Sequence, residues 1–163
     1  MVDNVDSATR SRIMSKIKSR DTQPELMVRR LLHAAGFRFR IHRKDLPGKP
    51  DIVLPKYKAV IFIHGCFWHG HTGCKLFRIP TTRTEFWENK ICKNQLNDTR
   101  ALQLLLDQGW RVCNIWECVI RKYRKDPENI LDTISKWLHS GEPLLEVNEE
   151  LLVFNQLKNN KTS

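Results

Sequence analysis

Eleven consecutive residues, His64-Gly65-Cys66-Phe67-Trp68-His69-Gly70-His71-Thr72-Gly73-Cys74, bring three imidazoles and two thiols into one short segment. Zinc takes such ligands tetrahedrally. Cys66, His71 and Cys74, joined by Cys118 farther along, would form a closed structural Cys₃His site. The spacing is irregular for a zinc finger, and free thiols beside exposed histidines are the alternative. His64 and His69 are left over from that set. A neutral imidazole can take a proton from water, and an imidazolium can give one to a leaving oxygen. Asp51 follows Pro50 and opens a run of apolar residues. A lone Asp after Pro commonly serves a turn, and it can equally supply a carboxylate to a site.

The formal net charge of +10 on 163 residues makes a polyanion, most simply nucleic acid, the leading partner. The charge is uneven. Residues 1–50 carry 12 Lys and Arg against 5 Asp and Glu, and residues 75–125 carry 11 against 5. Residues 126–163 reverse the sign, with 3 against 7, so the last quarter is not expected to touch a polyanion. The longest charge-free run, Ala59 to Cys74, is too rich in His and Gly for a lipid-facing helix, and the first residues lack the apolar core of a signal peptide. A soluble, cytoplasmic protein without membrane association is expected. The odd count of five Cys fits a reducing compartment, where metal ligation is favoured over disulfides. Cys92 and Cys113 read as packing residues.

These groups must be held by regular elements. Residues 1–20 read as a polar, partly helical arm with the basic residues Arg10, Arg12, Lys16, Lys18 and Arg20, and a short stripe of Ile13, Met14 and Ile17. Thr22-Gln23-Pro24-Glu25 is a capping box with Pro in the permissive first turn, opening a helix to about Ala35 that Gly36 closes. Phe37 to Ile41 alternates apolar and basic and predicts a half-buried strand. Pro47-Gly48-Lys49-Pro50 is a turn, Asp51 to Leu54 begins a strand, and Ala59 to Ile63, apolar on both faces, is expected at the centre of the sheet. Thr84 can cap a long helix from about Glu85 to Gln108, closed by Gly109, with Ile91, Leu96, Leu102, Leu105 and Leu106 as its apolar surface. Trp110 to Trp116 predicts a strand, Asn129 to Leu138 an amphipathic helix, and residues 141–163 an acidic, polar tail with one apolar cluster, Leu151 to Phe154, and then a frayed polar end. Trp110, Trp116 and Trp137 read as core. The expected fold is α/β, a single domain with a mixed central sheet flanked by helices. Its parts are a basic arm (1–20), a main domain (21–140) and the tail (141–163).

Pro50-Asp51, followed one hairpin later by a strand ending Ile63-His64-Gly65, has the layout of the PD-(D/E)xK restriction-endonuclease-like nucleases. Those enzymes hold Mg²⁺ with a carboxylate on the first strand and a carboxylate plus Lys on the second. By that pattern the second carboxylate falls at Ile63 and the Lys at Gly65. The whole set closely resembles the very short patch repair (Vsr) endonuclease family. The blocks ATRSRIMSKIKSRDTQPE, LPGKPDIVLP, VIFIHGCFWHGH, TRTEFWENKI and GWRVCNIWEC stand in that family's order and nearly its spacing, over roughly residues 6 to 120. The family has His residues in place of the second carboxylate and the Lys.

The resemblance implies a bacterial, nucleoid-associated enzyme that nicks double-stranded DNA on the 5′ side of the T in a T:G mismatch left by deamination of 5-methylcytosine. Asp51 and the main-chain carbonyl of Ile63 would hold the catalytic Mg²⁺. His69 would be the general base, His64 would assist at the phosphate or leaving group, and Glu25 would orient a His or a metal-bound water. Cys66, His71, Cys74 and Cys118 would hold the structural Zn²⁺. Phe67, Trp68 and Trp87 would wedge into the duplex, and Lys90 and Asn94, one helical turn apart, would read bases. The basic arm would grip the DNA from the opposite groove. A monomer suffices for an asymmetric lesion, and other mismatch-repair proteins are possible partners. Capping alone for Glu25, a core place for Trp87 and a solvated face for Lys90 and Asn94 are the plainer readings; Asp98, one turn beyond Asn94, is a further possible site residue. Two rival functions remain: a restriction-type endonuclease on matched DNA, and an inactive zinc-stabilised DNA-binding module.

Overall fold

The computed structural model describes residues 6–15 and 20–161. In chain order the elements are α1 (Ser7–Ser15), α2 (Gln23–Ala34), β1 (Ile52–Leu54), β2 (Ala59–His64), α3 (Thr84–Asp107), β3 (Arg111–Trp116), α4 (Glu117–Lys122), α5 (Glu128–Leu138), β4 (Leu144–Val147) and α6 (Glu149–Lys161), with a 3₁₀ turn at Pro55–Tyr57. The strands form one mixed sheet in the order β1-β2-β3-β4. β1 runs antiparallel to β2, and β3 and β4 continue parallel to it. The two parallel connections are made by α3 on one side and by α4 and α5 on the other, the crossovers that parallel neighbours require.

The sheet is buried on both faces. Ile52, Leu54, Ile61, Cys113 and Ile115 pack with Val28 and Leu32 of α2, Val119 and Ile120 of α4, Ile134 and Trp137 of α5 and Leu152 of α6. On the opposite face Val53, Val60 and Val112 pack with Leu105 of α3 and with Leu46. Ala59, Val60 and Ile61 are wholly buried, so β2 has the central place that its unbroken apolar run predicted. At roughly 25 cal/mol per Å² of apolar surface removed from water, these two clusters supply the main stabilising term.

α2 begins with Thr22 as its N-cap, and the return bond of the capping box goes one residue farther back than expected, to Asp21. Thr22 Oγ1 accepts the Glu25 N–H, and Glu25 Oε2 accepts the Asp21 N–H at 2.8 Å. It ends with Gly36 N–H bonded to the His33 carbonyl and Phe37 N–H to that of Leu32, with Phe37 and Leu32 both in the core. α1 is capped by Asp6 Oδ1, which accepts the Thr9 N–H at 2.7 Å. Lys16, Ile17 and Lys18 of the predicted basic arm lie outside the described residues, as do the side chains of Arg10 and Met14.

Four sequence-based expectations change. Residues 37–41 are not a strand; a single bridge pairs Arg40 with Val53, because Phe37 turns into the core against Tyr57 and His139 and Arg38 folds back onto the Phe37 carbonyl. Thr84 does not cap α3. Its hydroxyl donates to the Pro80 carbonyl, and Arg83 precedes the helix with φ +54°. Residues 144–147 and 149–161 are β4 and α6, so the segment expected as a polar tail is part of the fold, and α6 carries its end as far as Lys161. Val147 and Leu152 are the buried anchors; Leu152 lies in the apolar cluster Leu151 to Phe154, of which Val153 and Phe154 are exposed. Cys113 is buried as expected, but Cys92 is exposed on α3. No helix among the described residues is long and apolar enough to cross a membrane.

Candidate active site and metal centre

Asp51 sits just ahead of β1, and the hairpin register brings it to the end of β2. Its backbone N–H donates to the Ile61 carbonyl, and its carboxylate Oδ2 accepts the Ile63 N–H at 2.7 Å. Oδ1 has no hydrogen-bond partner among the described residues. Burial pushes the carboxyl up to about 6, the Ile63 amide opposes this, and the nearby Glu25 charge adds to the rise. A buried carboxylate short of positive charge is a fitting ligand for a hard divalent cation.

His64 ends β2, buried against Phe62 and Trp116. Burial and the neighbouring His69 hold its pKa down to about 4, although Asp98 works the other way. The His69 ring lies 4.1 Å from that of His64, and its Nδ1 donates to Asp98 Oδ2 at 2.6 Å. His64, His69 and Asp98 therefore form one cluster, with ligand-capable atoms all within 4.8 Å. Asp51, Glu25 and this cluster line a single cleft of about 910 Å³.

α3 holds the loop that carries His69. Asn94 Nδ2 donates to the Trp68 carbonyl at 2.9 Å, and Gln95 Nε2 donates to the carbonyls of His69 and Gly70. Gly70 allows this approach. A Cβ there would stand 2.4 Å from Gln95 Nε2 and 2.7 Å from Ile91 Cγ2, at a φ of +63°. The Asn94 side chain thus clamps the loop, while Lys90 is exposed on the same helix. Phe67, Trp68 and Trp87 form a half-buried cluster with ring centroids 5.1–6.0 Å apart, and Phe86 adds an edge contact to Trp87.

The same loop then turns back. The donor atoms of Cys66, His71, Cys74 and Cys118 all lie within 4.8 Å of one another. His71 Nδ1 is 3.5 Å from Cys118 Sγ, the Cys118 N–H points at Cys66 Sγ and the Leu76 N–H at Cys74 Sγ. Burial pushes the Cys66 and Cys118 thiols up. Three sulfurs and one imidazole converging with amide donors on two of the sulfurs form a donor set that suits a soft or borderline divalent metal.

Glu25 acts as the capping residue and lines the cleft. Its oxygens take the Asp21 N–H, the Thr22 hydroxyl and Arg29, and no hydrogen bond joins it to a histidine. Trp116, read from sequence as core, is half-buried between the two centres. His71 stacks on it at 4.0 Å with planes 6° apart, His64 meets its ring edgewise, and Glu146 Oε1 accepts its indole N–H. The β2–β3 register pairs it with His64, a relation that no spacing in the sequence carries. For Asp98 the signal was the four-residue spacing Lys90, Asn94, Asp98 on α3.

A mixed sheet that brings a carboxylate and a histidine cluster into one cleft, beside four Cys/His residues able to hold a metal, is an arrangement suited to hydrolytic chemistry. The family model described as DNA mismatch endonuclease Vsr matches residues 2–75. The type II nicking enzyme V.XorIIP of Xanthomonas oryzae is 48% identical over 118 residues, covering 72% of this chain and 86% of its own length. The DNA mismatch endonuclease Vsr of Escherichia coli is 45% identical over 139 residues, covering 85% and 88%. The type II nicking enzyme V.NmeAIP of Neisseria meningitidis is 46% identical over 121 residues, covering 74% and 86%. The chain belongs to the Vsr family of DNA mismatch endonucleases.

Proposed function

We propose that this protein nicks double-stranded DNA on the 5′ side of the T in a T:G mismatch, acting as a monomer on DNA in the bacterial cytoplasm. The observation that carries the reading is the His64–His69–Asp98 cluster facing Asp51 across one cleft. It offers a base and a metal ligand without the second carboxylate and Lys of other nucleases.

Asp98 holds the His69 ring with Nδ1–H donating, which leaves Nε2 to take the proton of an attacking water. His64 is neutral at pH 7 and offers a hydrogen bond to the phosphate or the leaving oxygen. Asp51 and the Ile63 carbonyl would hold Mg²⁺. Such an ion, when bound, offsets charge on the phosphate and acidifies water. Glu25, on the cleft wall and without a hydrogen bond to a histidine among the described residues, would orient a metal-bound water. Cys66, His71, Cys74 and Cys118 would hold a structural Zn²⁺. Phe67, Trp68 and Trp87 form the wedge, since a T:G wobble pair is already poorly stacked and costs less to open than a matched step. Lys90 reaches the DNA, and Asn94 serves it by fixing the Trp68 backbone. The basic arm, residues 1–20, adds salt-dependent affinity. Residues 21–140, completed by β4 and α6 that pack onto them, form the endonuclease unit, and other mismatch-repair proteins are partners to test.

The test is a nicking assay on end-labelled duplexes, matched or carrying one T:G mismatch in varied flanks, with and without Mg²⁺, beside Asp51→Ala. A Mg²⁺-dependent nick 5′ to the T, absent from the matched duplex and the variant, is expected. Cutting of the matched duplex would make the protein a restriction-type enzyme, and binding without cutting would make it a DNA-binding module.

A further inference from the structure

The cleft contains four carboxylates, from Glu25, Asp51, Asp98 and Glu117, and a DNA phosphate must enter it. Arg29 and Arg121 pair with Glu25 and Glu117, but neither arginine lines the cleft. Among the described residues that do, Lys49 is the one Lys or Arg. It makes no ion pair or side-chain hydrogen bond with any described residue, so its charge is not already committed.

The backbone of Lys49 is fixed in place. It lies between Gly48 and Pro50, its N–H donates to the Leu46 carbonyl at 3.1 Å, and its φ is +51°. Gly48 is pressed against the sheet and α3; a Cβ there would meet Ala101 Cβ at 2.7 Å and the Phe62 ring at 3.1 Å. The turn thus holds Lys49 two residues before Asp51 and on the cleft wall, with its side chain exposed.

We propose that Lys49 is a catalytic residue whose ammonium group contacts a nonbridging oxygen of the scissile phosphate. This rests on the endonuclease reading above. As the bond from the water oxygen to phosphorus forms and the bond from phosphorus to the leaving sugar oxygen breaks, charge gathers on the nonbridging oxygens. Lys49 stabilises that charge and transfers no atom.

The experiment measures single-turnover nicking at saturating enzyme on a T:G duplex with Mg²⁺, and binding of the same duplex without divalent ion. Lys49→Met should slow the saturating rate by about 10²–10³-fold, the usual effect of removing one charge-stabilising donor. Binding should fall by only a few-fold, and Lys49→Arg should restore most of the rate. Lys49→Gly, which relieves the positive φ and so keeps the fold, should lose the rate equally. An unchanged saturating rate, with weaker binding and a salt dependence lower by about one phosphate contact, would overturn the proposal and make Lys49 a nonspecific contact. A wild-type protein that nicks nothing would overturn the endonuclease reading, and Lys49's role with it.

Discussion

Asp51→Asn should stabilise the protein when no divalent ion is bound. The Asp51 carboxylate is buried, lies near Glu25 and has one hydrogen bond, from the Ile63 amide. Its pKa of about 6 in the fold, against 3.8 for the free group, means the folded state holds this proton more tightly than the unfolded chain does. That contribution is fully present below about pH 4 and is lost as pH rises through about 6. A shift of roughly two units corresponds to about 3 kcal/mol, forgone at neutral pH to keep the carboxylate charged. Asn retains an oxygen for the Ile63 N–H and carries no charge. Urea unfolding, followed by tryptophan emission in divalent-free buffer with any zinc retained, should show the variant more stable by about 2–3 kcal/mol near pH 7.5. In thermal melts this is roughly 5–10 °C. The gain should vanish by about pH 4, and added Mg²⁺ should raise the wild type and not the variant. A variant no more stable than the wild type at neutral pH, or a gain that does not change with pH, would refute the account of a charge held against its environment.

Asp98→Asn should lower single-turnover nicking by about 10²–10⁴-fold while mismatch binding persists, because His69 loses the carboxylate that fixes its tautomer; a wild-type rate would remove Asp98 from the site. Cys118→Ser should release zinc and forfeit several of the roughly 10–16 kcal/mol that such a centre contributes. Metal analysis of the purified variant decides this, since one zinc per chain would exclude Cys118 from the ligand set. Gly70→Ala should cost about 1–3 kcal/mol in chemical unfolding, given the contacts its Cβ would make with Ile91 and Gln95. A variant as stable as the wild type would mean the loop relaxes freely.

The parts of the fold legible in the sequence were those with strong local signals. The capping box at Thr22, the two-sided apolar run of β2 and the long period of α3 each decide their element almost alone. Residues 37–41 misled because alternation reports only which side chains face inward, and Phe37 is buried without a neighbouring ladder. β4 went unseen because it is a short edge strand whose Leu144 and Glu146 are exposed. At the site, the histidines and cysteines were visible as residue types, and their grouping agrees with the clusters observed. The supports were less visible. Asn94 and Gln95 act through carbonyls 25–26 residues away, and Trp116 and Lys49 take part only because the sheet register and a clamped turn put them on the cleft wall. Long-range partners of that kind leave no spacing in the chain.

The run from His64 to Cys74 places a buried imidazole, an edge-to-face aromatic pair, a general-base candidate and three metal-ligand candidates on one continuous backbone, tied to α3 by three hydrogen bonds from side-chain amides. Its members share neighbours, so the effects of changing two of them will not sum. A substitution aimed at the metal ligands will also move His69, and one aimed at His69 will also move the aromatic cluster. For anyone re-engineering this protein the practical unit is the whole segment with its α3 face, exchanged as a cassette; residue-by-residue grafting would carry over the side chains and leave behind the couplings that position them.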